Sequence, residues 1–174
     1  HLGQTLTFTA DPFVEGPGAA RHDTQGALVV EDGVITQVGE AGALRQGEFA
    51  SVTDHGQALL LPGFIDAHAH YPQTAMIASW GKRLIDWLNT YTFPEEMRLS
   101  DPAYAGDIAA RYLDLTLAHG TTTVASYCTI HPHSADALFQ AAEDRGQRIV
   151  AGKTCMDRNA PEGLRDTVQS AYDD

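Results

Sequence analysis

Pro62-Gly63-Phe64-Ile65-Asp66-Ala67-His68-Ala69-His70 is where the chain changes character. Pro-Gly marks a turn, and the residues after it alternate with the two-residue period of a strand. Strict alternation puts Asp66, His68 and His70 on one face and Ile65, Ala67 and Ala69 on the other. Two imidazoles one residue apart on a strand face can converge on a borderline cation such as Zn²⁺. Asp66 on that face would accept the second ring N–H of one of them and fix its tautomer.

Downstream, strands and helices alternate. A Trp- and Tyr-rich excursion runs from Tyr71 to Pro94, and a helix is predicted from about Pro102 to Ala118, with Asp101 before it, Gly120 after it, and Ile108, Tyr112, Leu115 and His119 at helical spacing. A strand through Thr121 to Cys128 follows. The next helix is expected to be capped by Ser134, to bury Leu138, Phe139 and Ala142, and to end at Arg145-Gly146. Ile149-Val150-Ala151 opens another strand, and Asn159-Ala160-Pro161-Glu162 starts a third helix with Leu164, Val168 and Ala171 on one face.

Strand-helix alternation means parallel strands with helical crossovers, hence an α/β barrel or a doubly wound sheet. A complete eight-unit barrel takes about 250 residues, so 62–174 is expected to hold its first three βα units. Such barrels build their sites at the C-terminal ends of the strands, where His68 and His70 fall.

Upstream, residues 1–61 read as a small β-rich module. Leu6, Phe8 and Ala10 alternate with Thr5, Thr7 and Thr9, and two β-rich runs flank a hairpin turn at Glu31-Asp32-Gly33. Pro12, Gly16, Pro17 and Gly18 separate the first strand from that hairpin, and Gly39 to Gly47 reads as a turn-rich connection.

With 43% apolar and 20% charged residues among 174, the composition is that of a folded chain. A formal charge of −12 argues against nucleic acid and anionic membrane surfaces as partners. No apolar run reaches the roughly 20 residues of a membrane span. Cys128 and Cys155 lie in separate apolar segments, which suits reduced core thiols better than a disulfide and favours a cytoplasmic setting. A chain starting at His1 is expected to be less than a full translation product.

The stretch Pro62 to His70 resembles the first-strand signature of the amidohydrolase superfamily, and its surroundings resemble the guanine deaminases of that superfamily. The residues that carry this are His70-Tyr71-Pro72-Gln73, Trp87-Leu88-Asn89-Thr90-Tyr91-Thr92-Phe93-Pro94, Thr121-Thr122-Thr123 and Lys153 to Glu162, especially Met156-Asp157-Arg158-Asn159-Ala160-Pro161. The resemblance covers most of 25–170. It implies an α/β fold, the N-terminal part of an amidohydrolase TIM barrel, preceded by a β module that belongs to a composite β-sandwich.

For function, the resemblance implies zinc-dependent hydrolytic deamination of guanine to xanthine and ammonia by a longer parent, with His68 and His70 as metal ligands. It makes His70, Tyr71, Pro72 and Gln73 the substrate-contact segment, Gln73 being the donor and acceptor for the purine. The chemistry implied is attack of a water-derived nucleophile on C2 and protonation of the leaving nitrogen. The general acid/base glutamate, the other ligand histidines and a last-strand aspartate are expected beyond residue 174. The parent is expected to be a homodimer and this stretch alone to be inactive.

Other features draw plainer readings. Pro132 interrupts the pleat between His131 and His133, so that pair suits loop contacts better than metal. Trp80, Trp87, Tyr91 and Phe93 read mostly as ordinary core packing, with a pocket wall or a dimer surface as the alternatives. Asp157 beside Arg158 reads as a cap or ion-pair residue. Another amidohydrolase, a chlorohydrolase or cytosine-type deaminase, would share the His-x-His strand but differ at the substrate loop. A non-catalytic structural fragment is the third possibility.

Overall fold

The computed structural model describes residues 1–44 and 47–174. They form two compact units, His1–Pro62 and Gly63–Asp174. Among the described residues no helix is long and apolar enough to cross a membrane.

In the first unit, strand β1 (Leu2–Phe8) leads through a short helix α1 (Pro12–Glu15) and a 3-10 turn into the long β2 (Ala20–Glu31). Asp11 caps α1 by accepting the Phe13 N–H at 2.8 Å, with Pro12 in the first turn where no amide is needed. β2 folds back as β3 (Val34–Glu40) through Asp32-Gly33, both with positive φ (50° and 78°), the backbone a two-residue hairpin turn demands. Helix α2 (Ala41–Leu44) and β4 (Asp54–Leu60) complete the unit, whose sheet has the order β3-β2-β1-β4, with β1 and β4 parallel. The expected connection from Gly39 to Gly47 includes Arg45 and Gln46, which lie outside the described residues.

The buried row of β1 is Gly3 and Thr5, not the apolar Leu6 and Phe8, and Phe8 is 53% exposed. The reason is a close approach. Thr5 packs against Gly26 on β2, where a Cβ would stand 2.3 Å from Thr5 Oγ1 and 2.6 Å from its Cγ2. Gly26→Ala must therefore push the two strands apart, and we expect a loss of about 1–3 kcal/mol in denaturant unfolding. Adding Thr5→Ala should recover most of it.

The second unit begins with β5 (Phe64–His70), followed by a 3-10 turn at Tyr71–Met76, helix α3 (Leu84–Trp87), a π turn at Leu88–Thr92, and α4 (Phe93–Arg98). Then come α5 (Pro102–Ala118), β6 (Thr121–Tyr127), α6 (Pro132–Arg145), β7 (Arg148–Gly152), a 3-10 turn at Glu162–Leu164 and α7 (Val168–Asp173). The sheet is parallel in the order β5-β6-β7. Three parallel strands joined by helical crossovers are what an opening α/β barrel or doubly wound sheet would show.

The core lies where α5 and α6 cover this sheet. Tyr71, Leu99, Ala105, Ile108, Ala109, Leu113, Cys128, Leu138, Ala141 and Ala142 form one buried cluster. The stripe of α5 differs in phase from the expected one. Ala105, Ile108, Ala109 and Leu113 face inward, while Leu115 is 44% exposed and His119 is exposed, its ring nitrogen on the Leu115 carbonyl. Small alanines let helix and sheet approach closely, which fixes this phase. On α6 the same logic buries Ala141 with Leu138 and Ala142 and leaves Phe139 exposed.

Two helix starts also differ from expectation. α6 begins at Pro132, so His131 is its cap and Ser134 sits one turn inside. The Ser134 hydroxyl accepts the Thr129 N–H at 3.1 Å and donates to the His131 carbonyl at 2.7 Å, bracing the entry loop. The single helix expected after Asn159 is instead a 3-10 turn and a separate α7. Leu164 is buried in a small cluster with Ile130 and Ala160. The Asp166 N–H bonds the Met156 carbonyl at 2.7 Å, and Thr167 and Ser170 restart the helix as a reciprocal cap, leaving Val168 exposed.

Candidate metal and purine site

β5 does not keep strict alternation. Asp66 is aligned with Val124 and Ala69 with Ser126, while His70 is aligned with Tyr127, so the register slips between Asp66 and Ala69. The slip moves Asp66 off the row of His70 and onto that of the buried Val124 and Ser126. Its carboxylate accepts the backbone N–H of His68 at 3.1 Å. Asp66 thus shapes the strand end, and the expectation that it shares a face with both histidines is corrected.

His68 and His70 do come together at the C-terminal end of β5, with ring centroids 5.3 Å apart. Tyr127, from the end of β6, stacks on the His70 ring at 4.8 Å and meets His68 edge-on at 5.5 Å. Burial, helped by the neighbouring His68, holds the His70 pKa below its usual value and keeps a nitrogen lone pair free.

Five of the other histidines, all but His131, spend a ring nitrogen on a hydrogen bond. His22 bonds Gln4, His55 bonds His1, His119 bonds the Leu115 carbonyl, and His133 donates to the Leu99 carbonyl at 2.7 Å. His131 occupies the cap position of α6 with no side-chain cap bond, stacks on His133, and leaves its buried Nε2 without a partner. Among the described residues neither His68 nor His70 spends a ring nitrogen on a hydrogen bond. Two uncommitted imidazoles are a donor set that suits zinc, and they make half of a tetrahedral shell. Among the described residues no group of three or more His, Cys, Asp or Glu side chains gathers as a full one.

Two cavities adjoin at His70 and Gln73, which line both. One, of about 420 Å³, also takes in His68, Met76, Trp87 and Tyr112. The other, of about 440 Å³, adds Phe93, Glu96, Tyr127, Lys153 and Met156. Gln73 Nε2 donates to Glu96 Oε1 at 3.1 Å. Burial pushes the Glu96 carboxyl above its ordinary pKa, partly offset by that bond.

Tyr71 and Pro72, expected to touch substrate with His70 and Gln73, are buried instead. The Tyr71 hydroxyl donates to the Ser134 carbonyl at 2.6 Å, and its N–H to Ser126 Oγ at 3.0 Å. They anchor the turn that carries Gln73. Of the aromatic excursion, Trp87 and Phe93 line the cavities, and Trp87 Nε1 donates to the Ser79 carbonyl. Trp80 is 71% exposed. Asp157 and Arg158 are exposed and 4.0 Å apart, a weak ion pair.

Tyr127, Glu96 and Lys153 were not singled out as site residues from sequence. Tyr127 ends its strand as His70 ends β5, a signal that the parallel order offered. Lys153 follows β7 and pairs with Asp174 at 3.0 Å and Asp166 at 3.5 Å.

Residues 59–173 match the model of the amidohydrolase family. The chain belongs to that family. A guanine deaminase of Escherichia coli (strain K12) is 41% identical over 169 residues, covering 96% of this chain and 38% of that protein. The solved E. coli guanine deaminase superposes with a TM-score of 0.91 at 38% identity, over 99% of this chain and 41% of that one. A guanine deaminase from C. acetobutylicum, solved with guanine in its active site, gives 0.82 at 28% identity, over 99% of this chain and 40% of that one. This amidohydrolase chain therefore spans about two fifths of the length of these relatives.

Proposed function

We propose that residues 1–174 are the first part of a zinc-dependent guanine deaminase, with a β module over 1–61 and the start of the barrel over 62–174. The observation that carries this is the pair of uncommitted imidazoles on the wall of a cavity that also holds Gln73. Similarity to guanine deaminases along nearly the whole chain supports the choice of substrate.

His68 and His70 would hold the zinc, whose chemistry there would be Lewis acidity that makes water a nucleophile near neutral pH. This chain's residues do the rest of the placing. Tyr127 fixes the plane of the His70 ring by stacking on it. Gln73 offers a purine one hydrogen-bond donor and one acceptor. Trp87 and Phe93 give the ring an apolar wall and keep bulk water away. The proton that converts the exocyclic nitrogen to ammonia needs an acid from the remainder of the parent, so this stretch alone is inactive. Two unpaired cysteines, Cys128 in the core and Cys155 exposed rather than in the core as expected, favour a reducing, cytoplasmic setting.

The test is turnover by the whole, metal-loaded protein. Guanine should give xanthine and ammonia in equal amounts, with adenine and cytosine slower by at least about a hundredfold. Deamination of cytosine in preference to guanine would contradict the proposal.

A further inference from the structure

We infer that Glu96 is a positioning residue that fixes which end of the Gln73 amide a purine meets. The inference rests on the function proposed above and deepens it.

Glu95 and Glu96 are neighbours on α4, both buried but differently partnered. Glu95 is an ordinary structural carboxylate, paired with Arg98 at 2.9 Å and bonded by the Tyr104 hydroxyl. Glu96 is only 7% exposed and, among the described residues, has no Lys or Arg within ion-pair distance. A carboxylate buried without a cation is costly, and the bond from Gln73 Nε2 is what it has in return.

That bond has a direction. An ionised carboxylate only accepts, so the nitrogen end of Gln73 must face Glu96. The amide oxygen and the remaining N–H are then left for the cavities that Gln73 lines beside His70. The presented pattern is one acceptor next to one donor, which matches a purine edge with an N–H beside a ring nitrogen or carbonyl. Without Glu96 the terminal amide torsion is broad and roughly two-fold, so about half of the side chains would show the wrong atom.

The experiment is a double-mutant cycle in the whole protein: wild type, Glu96→Ala, Gln73→Ala and both together. KM and kcat for guanine are measured on the metal-loaded enzyme, and guanine Kd by calorimetry on the metal-free one. Gln73→Ala should raise KM and Kd by about tenfold, and Glu96→Ala by about twofold, the factor that follows when half of the amides present the wrong atom, with kcat within about threefold in both. The double variant should be no worse than Gln73→Ala, because Glu96 acts through that residue. Glu96→Gln, which keeps an acceptor, should recover part of the loss, and it carries the cycle if the alanine variant does not fold.

Losses that multiply in the double variant would overturn the inference, as would a fall in kcat at unchanged KM. Wild type that binds guanine without deaminating it would overturn the proposed reaction, while the coupling is still read from the four Kd values. Wild type that binds no guanine would overturn both.

Discussion

Changing His68 and His70 together to alanine in the whole protein should abolish guanine turnover, by about a thousandfold or more, while leaving the fold intact. Partners that merely hydrogen-bond a metal-bound histidine already cost about 10- to 100-fold when removed. Deleting two direct ligands at a four-ligand site costs more than either. The fold should survive because His68 is exposed, His70 is half-buried, and neither belongs to the buried cluster under α5 and α6. Steady-state kinetics beside far- and near-UV circular dichroism would check both halves. Retained turnover, or lost activity with a lost near-UV spectrum, would go against this assignment.

Tyr71 should show the opposite pattern, with a large effect on stability. It is fully buried among Leu99, Ile108, Leu113 and Leu138, and its two polar groups bind β6 and the first turn of α6. Tyr71→Ala removes a packed aromatic ring and should cost roughly 3–5 kcal/mol in urea unfolding. Tyr71→Phe keeps the ring but loses the hydroxyl's bond to the Ser134 carbonyl, and about 0.5–1.5 kcal/mol is expected. Because Tyr71 opens the turn that carries Gln73, the phenylalanine variant should also weaken guanine binding more than it slows chemistry. A Tyr71→Ala variant as stable as wild type would contradict this reading of the core.

Much of this architecture could be read from residues alone, for reasons that are local. The alternation after Pro62-Gly63, the Asp-Gly hairpin, Asp101-Pro102 at the start of α5 and Gly146 after α6 each depend on nearest neighbours in sequence. What could not be read depends on partners far away. The register slip at Asp66 is set by pairing with β6, and no single-strand pattern reveals it. The phase of α5 is chosen by which small side chains meet the sheet, and the break before α7 by the Asp166–Met156 bond.

The candidate site divides the same way. His68 and His70 announce themselves by spacing and by metal chemistry. Gln73 was legible through resemblance. Glu96, twenty-three residues later on another helix, pairs with Gln73 only in three dimensions. Tyr71 and Pro72 show the converse, since adjacency to His70 in sequence did not place their side chains in the cavity.

The direct test of the central claim is metal content, measured by mass spectrometry on the whole protein purified with zinc. Wild type should carry about one ion per chain and the His68→Ala/His70→Ala variant close to none. An ion still bound at full stoichiometry in that variant would show that these two imidazoles do not hold it.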